Sequence, residues 1–197
     1  MSHEGSAEDL APTATSGYKV SAKKTAAELA QLDAQDESLR KWKESLGLKA
    51  AAGASGSADS RNVVVEALAL EVAGRQDVIV DLSSPQAISR LSSQTVTIKE
   101  GVEYRLKIRF RVNHDVISGL KYLHVVKRKG IKVDKMEEMV GSYGPSPDVY
   151  EKKFLMEEAP SGMIARGDYK VKSKFVDDDN VTHLEWDWSF AIKKDWD

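Results

Sequence analysis

Between Tyr104 and Val112 the chain changes character at every residue. Tyr104, Leu106, Ile108, Phe110 and Val112 are apolar, and Arg105, Lys107, Arg109 and Arg111 between them are basic. Successive side chains of a strand point to opposite faces, so this period reads as a strand with one dry and one wet face. Such a strand must pair along its edges and cover its dry face with a second layer. The pattern returns at Tyr169, Val171 and Phe175, which alternate with Lys170, Lys172 and Lys174, and at Leu184, Trp186, Trp188, Phe190 and Ile192. Val63 to about Val72 and Val78 to Leu82 read as further strands. Gly, Pro, Asn and Asp clusters separate the runs, and helical stretches are scarce. Residues 62–197 are therefore predicted to form an all-β, immunoglobulin-like β-sandwich. The Cys–Trp–Cys signature of true immunoglobulin domains is absent.

The chain ahead of this domain has a different texture. Residues 1–17 are small, polar and aperiodic, and read as a disordered tail. Residues 18–48 carry helix signals. Thr25 and Glu28 have capping-box spacing ahead of Leu29 and Leu32. A second helix begins at Asp33, with Asp36 and Glu37 in its first turn and Gly47 past its end, an order that suits the helix dipole and a glycine cap. Asp36–Arg40 and Glu37–Lys41 are favourable i,i+4 pairs. The apolar residues of the pair are few (Leu29, Leu32, Leu39, Trp42 and Leu46), and short helices are marginal alone in water. Residues 49–61 are a small-residue linker of flexible composition. Two marginal helices on a soft tether suggest an arm that orders on contact with a partner.

Composition narrows the function classes. The chain has 197 residues, of which 41% are hydrophobic, enough for one sizeable domain and an appendage. With no cysteine, a disulfide scaffold, a thiol nucleophile and a thiolate metal site are excluded. No stretch approaches a membrane span and the polar N-terminus has no signal-peptide core, so cytosol is the simplest compartment. A net charge of -2 provides no overall field for nucleic acid.

Several constellations have a bland alternative that fits better. The histidines (His3, His114, His124 and His183) sit in no catalytic or metal motif. Asp177-Asp178-Asp179 with Asn180 reads as a turn between strands, because EF-hand spacing is missing. Glu157 and Glu158 are adjacent on a strand and so point apart, which argues against a shared acid/base role. Arg105, Lys107, Arg109 and Arg111, with Lys127-Arg128-Lys129, could meet phosphates but read as a solvated face. No facing carboxylate pair supports a glycosidase-type enzyme. Trp186, Trp188 and Phe190 share one face of one strand, either as packed core or as the wall of an apolar cavity. The chain is thus expected to bind rather than catalyse, with no cofactor and no metal.

Longer blocks carry a specific resemblance. LDAQDESLRKWKESL (Leu32 to Leu46), KEGVEYRLKIRFRVN (Lys99 to Asn113), SGLKY (Ser118 to Tyr122), MVGSYGP (Met139 to Pro145), EEAPSGMIARGDY (Glu157 to Tyr169) and HLEWDWSFAIKKDW (His183 to Trp196) resemble Rho GDP-dissociation inhibitors, in that family's order. The resemblance implies an immunoglobulin-like sandwich with a flexible N-terminal arm. It implies binding of prenylated Rho-type GTPases in the GDP form, slowing of GDP release, and extraction from membranes into the cytosol. The protein would be a monomer alone and form a 1:1 heterodimer with the GTPase, without nucleic acid or stable membrane insertion. Carried over residue by residue, Asp36 and Ser38, with Leu39 and Trp42 on the same helix, match contacts to the GTPase switch regions. Leu46 matches an apolar position near the arm's end. Leu70, Val96, Leu106, Ile108, Val116, Val171, Trp186 and Trp188 fall on or beside positions lining an isoprenyl pocket. Asp134, Glu157, Glu158 and Asp179 match acidic positions near the GTPase's basic tail. Val96, Val116 and Lys127 stand where animal relatives often carry phenylalanine, isoleucine and tyrosine. The rival reading is a general prenyl-binding sandwich that ignores the GTPase fold.

Overall fold

The computed structural model describes residues 10–19, 28, 36–38, 41 and 59–197. Among the described residues nine strands follow one another: β1 (Val63–Val72), β2 (Val78–Asp81), β3 (Val96–Lys99), β4 (Glu103–Val112), β5 (Ile117–Arg128), β6 (Ile131–Tyr143), β7 (Tyr150–Glu158), β8 (Gly167–Val176) and β9 (Thr182–Lys193). One sheet has the order β2-β1-β4-β7 and the other β3-β9-β8-β5-β6. The chain crosses between sheets from β4 to β5, from β6 to β7 and from β7 to β8, while β8 and β9 form a hairpin. This is immunoglobulin-type wiring: β1, β4 and β7 take the places of strands A, B and E, and β5, β8 and β9 those of C, F and G. β3 pairs parallel to β9, so the segment after β1 and β2 has changed sheets.

A local detail supports the same reading. Tyr169 stands near the start of β8, and its hydroxyl donates to the carbonyl of Ala165, four residues upstream, at 2.6 Å. That is the tyrosine corner of immunoglobulin-like folds, tying the crossover loop to the strand it enters.

A short helix, α1 (Pro85–Arg90), interrupts the strands. Its start is written locally: the Ser84 hydroxyl accepts from the Ala87 N–H at 3.1 Å, and Pro85 occupies the first turn, where no donor is needed. The sequence reading, guided by period two, passes over it.

The inward residues of β4 are buried as their alternation predicts: Leu106, Ile108, Phe110 and Val112 are at most 4% exposed. One half of the space between the sheets is filled by rings. Phe110 meets Tyr143, Tyr150 and Phe175 at centroid distances of 5.0–5.7 Å, and Tyr122 meets Phe154 and Trp186. The wet face of β4 needs correction. Lys107 is only 8% exposed, with its ammonium 2.5 Å from Asp77 and 3.0 Å from Glu71. Burial alone would lower the Lys107 pKa, but the two carboxylates outweigh it and raise it. Arg111 reaches Glu66 at 2.5 Å. Acidic side chains of β1 and its turn thus tile this face, and Lys127 to Lys129 lie on the other sheet. The two basic runs form no common phosphate-binding surface.

The tail assignment for residues 1–17 also changes, for residues 10–19. These run against the outer face of the second sheet. Leu10 is 2% exposed and packs on Leu123, Val125 and Val176. Thr13 donates twice to Glu137, and Lys121 donates to the Thr13 carbonyl at 2.7 Å and to the Thr15 hydroxyl at 2.9 Å. The outer face of β5 is apolar at Leu123 and Val125, and one leucine covers it.

Candidate functional site

The half of the sandwich that rings do not fill holds a cavity of about 800 Å³. Its walls come from both sheets: Leu70 of β1, Tyr104 and Leu106 of β4, His124 and Val126 of β5, Tyr169 and Val171 of β8, and Trp188, Phe190 and Ile192 of β9. Ile98 closes one side from β3, and Val133 and Met136 of β6 the other. The mouth lies at the end where β5 leaves, β6 begins and β7 ends. Asp134, Glu157, Glu158 and Arg128 stand there among the lining residues.

Pleating explains which side chains reach the space. Val126, Val171 and Trp188 are cross-strand partners on neighbouring strands, so they form one row across the second sheet. Trp188 is held by its own polar end. Its indole N–H donates to the Ser173 hydroxyl at 3.0 Å, and that hydroxyl lies 3.1 Å from the Tyr122 hydroxyl. Tyr122 is in turn 3.3 Å from Nδ1 of His124, whose Nε2 is 3.5 Å from Asp134. A buried polar chain therefore runs behind the apolar wall to the acidic mouth, with ring orientations set by hydrogen bonds. Burial lowers the His124 pKa against the opposing pull of Asp134, so the ring is held neutral. Burial, and then the Glu157 carboxylate that accepts from it at 2.7 Å, push the Tyr104 hydroxyl well above its usual range. These groups border a largely apolar space that is open at one end.

The predicted pocket residues divide. Leu70, Leu106, Val171 and Trp188 line the cavity. Ile108 is fully buried one pleat deeper, and Trp186 stacks on Tyr122 at 6.0 Å in the filled half, where its indole nitrogen has no partner. Val96 shares the inward face of β3 with Ile98 and packs against the core, but it lines a shallow groove beside Arg75 and Trp196, and Ile98 alone of the two lines the cavity. Val116 precedes β5, at the end remote from the mouth. Asp134, Glu157 and Glu158 meet at the mouth, but Asp179 does not. It sits past the opposite end of β8 and accepts from the Tyr18 hydroxyl at 2.8 Å, a bond that raises the Tyr18 pKa to about 12. Tyr169, Phe190, Ile192 and Tyr104 belong to the wall, and the strand alternation that singled out their neighbours already contained them. His124 and Met136 had no such signal.

In the arm, Asp36 is non-helical and exposed, while Glu37 and Ser38 are helical. The Asp36 carboxylate accepts from the Ser38 N–H at 2.9 Å, so Asp36 caps a turn instead of lying within it. Glu37 and Lys41 form the expected pair at 3.1 Å. Asp33, Leu39, Trp42 and Leu46 lie outside the described residues, as does the Thr25 cap. Asp177 has both carboxylate oxygens engaged, by the Val181 N–H and by His183, in a tight turn between β8 and β9. No cluster of metal-ligating side chains occurs among the described residues. Nor, among them, is any helix long and apolar enough to cross a membrane.

The model of the family described as RHO protein GDP dissociation inhibitor matches residues 3–195. The chain belongs to the Rho GDP-dissociation inhibitor family. It is 47% identical to the human Rho GDP-dissociation inhibitor 1 over 179 residues, which span 91% of this chain and 86% of that one. It is 47% identical to the Schizosaccharomyces pombe Rho GDP-dissociation inhibitor, across 88% of this chain and 84% of that one. To the Saccharomyces cerevisiae protein of the same name it is 46% identical, across 90% of each. The match spans both the arm and the sandwich, so the blocks quoted above are parts of one continuous likeness. Rho GDP-dissociation inhibitors act as regulators rather than as enzymes.

Proposed function

We propose that this Rho GDP-dissociation inhibitor shelters the prenyl group of a GDP-bound Rho-type GTPase in the sandwich cavity while its arm holds the switch loops. The observation that carries this reading is the cavity of about 800 Å³, apolar in its walls and acidic at its mouth. Binding cavities of small ligands run to roughly 300–1,000 Å³. Burial of a prenyl chain is favourable by about 0.8 kcal/mol per CH₂, which offsets the cost of leaving a bilayer. The basic tail that follows the GTPase's fold is drawn to anionic lipid by about 1 kcal/mol per charge. Asp134, Glu157 and Glu158 compete for that attraction beside the point where the lipid enters. Asp36 and Ser38, exposed at a helix start, offer a carboxylate and a hydroxyl to the switch regions, and the apolar Leu39 and Trp42 that follow in the sequence add to that contact. The extracted complex is a 1:1 heterodimer in the cytosol.

The test is extraction of prenylated GTPase from vesicles by the full chain against residues 62–197. The full chain is expected to extract the GTPase and slow GDP release; the shorter chain is expected to bind a fluorescent geranylgeranyl peptide without slowing release. A shorter chain that binds no such peptide would sink the cavity assignment. Asp36→Ala is expected to weaken binding of the whole GTPase and spare that of the peptide. A general lipid carrier would hold peptide and whole GTPase equally well.

A further inference from the structure

We propose that the mouth end of the sandwich is itself a docking surface for a fluid bilayer containing anionic phospholipid. The proposal rests on the cavity's role as a prenyl site. Two loops of this end carry the exposed apolar tips, and the β3–β4 turn backs the second of them, where Glu100 accepts from the Gly162 N–H and the Arg166 guanidinium. The β5–β6 turn is made by Lys129 and Gly130, both at positive φ (50° and 82°), which suits a tight two-residue hairpin. It presents Ile131, 70% exposed, and Val133, 51% exposed. The β7–β8 loop turns at Gly162, whose carbonyl accepts from the N–H groups of Ala165 and Arg166. That turn presents Met163 and Ile164, 85% and 90% exposed. The Arg128 guanidinium donates to the carbonyls of Ile164 and Arg166, so one side chain ties the loops together.

Fully exposed branched or long apolar side chains are ordinary when scattered and informative when gathered. Here four of them, including the two most exposed, Met163 and Ile164, gather on tips that border an apolar cavity, which Val133 and Arg128 also line, while Leu155 and Met156 are exposed on β7. Apolar side chains with lysines beside them suit the interface of an anionic bilayer, where tails accept the first and headgroups the second. The run Lys127 to Lys132 holds four basic residues and no acid. The acidic Asp134, Glu157 and Glu158 line the cavity from β6 and β7, outside the two turns themselves. The basic tips therefore meet lipid and the acidic rim meets the cationic tail of the cargo. A mouth seated on the bilayer shortens the path of a prenyl chain through water.

The experiment is sedimentation of the full chain with vesicles of phosphatidylcholine alone or with phosphatidylserine, at low and high salt. Two surface variants accompany it, Met163→Asp/Ile164→Asp and Lys129→Ala/Lys132→Ala. Wild type is expected to pellet with phosphatidylserine vesicles at low salt only. Removal of two charges is expected to weaken this roughly thirtyfold, at about 1 kcal/mol per charge. The apolar variant is expected to weaken it at least tenfold and to slow extraction of prenylated GTPase to a similar degree. Affinity for a soluble geranylgeranyl peptide is expected to stay within twofold in both. Equal pelleting of wild type and variants, or no pelleting of wild type, overturns the docking surface. So does a loss of GTPase affinity in the absence of vesicles, which makes these tips a protein contact. A wild type that pellets but binds no prenyl peptide leaves the docking intact and removes the cavity's role instead.

Discussion

Ser173→Ala removes one oxygen from the polar chain behind the cavity wall, and its cost can be worked from the bonds it makes. Ser173 is fully buried on β8, between the rings of Trp188 and Tyr122. Alanine fits the site without a clash, so the effect is polar and not steric. Tyr122 keeps a neighbour at His124, but the Trp188 indole N–H loses its acceptor. An orphaned buried donor costs about 1–3 kcal/mol. A central expectation is about 2 kcal/mol, or a melting temperature lower by about 4–8 °C for a chain of this size. Trp188 also loses the bond that fixes its ring at the wall, so affinity for a geranylgeranyl peptide is expected to fall several-fold. Urea unfolding followed by circular dichroism measures the first effect and peptide fluorescence the second. The partner variant Trp188→Phe supplies the cycle: the double variant is expected to be less destabilised than the sum of singles by about 1 kcal/mol. A loss below about 0.5 kcal/mol with no coupling would refute the reasoning, because water would then be replacing the serine oxygen inside the cavity.

Other expectations follow from buried charge and from the N-terminal segment. Burial lowers the His124 pKa below its unfolded value of about 6.5, so the stability it contributes is present above that value and is lost as pH falls toward the folded pKa. Unfolding free energy is expected to drop between pH 7.5 and 5.5, and less so in His124→Gln. Lys107→Ala takes the cation from Asp77, while Glu71 keeps Lys153 at 2.9 Å; both carboxylates are about one-third exposed, so the loss is expected to stay well below the roughly 3–5 kcal/mol of a fully buried broken pair. Lys107→Met keeps the apolar stem and is expected to lose less in the same urea titration. Leu10→Ser strips the cover from Leu123, Val125 and Val176. Amide exchange across residues 10–19 is expected to rise at least tenfold while global unfolding changes little, and unchanged exchange would show that the threonine and lysine bonds hold the segment alone.

Strand alternation made the sandwich legible because a two-residue period has one physical meaning when it repeats along several segments. It pointed to the dry face of β4 and to the aromatic face of β9. It could not say where the sheets part. Ile108 and Leu106 share a face and a chemistry, yet one is sealed in core and the other looks into the cavity. Which outcome holds depends on what the opposite sheet presents, and that is a tertiary fact. Trp186 and Trp188 divide in the same way: the first meets Tyr122 and the second meets open space. α1 was written locally, in Ser84 and Pro85, and lay hidden only because so short a helix leaves no period. Residues 10–19 hold one fully buried apolar anchor, Leu10, and one leucine cannot announce a docking site in a sequence. Asp179 was placed with the acidic group by likeness of position, and the direction of β8 separates them: its start faces the mouth and its end faces Tyr18.

β5 ties these features together, since its alternation serves two layers at once. Tyr122, His124 and Val126 point inward, to the ring cluster, the polar chain and the cavity wall. Lys121, Leu123 and Val125 point outward and hold residues 10–19. The strand's period keeps these two sets of side chains on opposite faces, so a change in the cavity reaches the outer segment only by moving β5 itself. That movement is costly in the outer layer, because Lys121 is 6% exposed and bonds to the Thr13 carbonyl, the Thr15 hydroxyl and Asp178 together. Gly119, just before it, has a φ of +60°, and a Cβ there would lie 1.9 Å from the Asp178 carboxylate. β5 is pinned near its start and carries the cavity near its end. A ligand that spreads the sheets therefore does so most easily at β6 and the mouth loops, the side where β6 is an edge strand and its first residues are exposed.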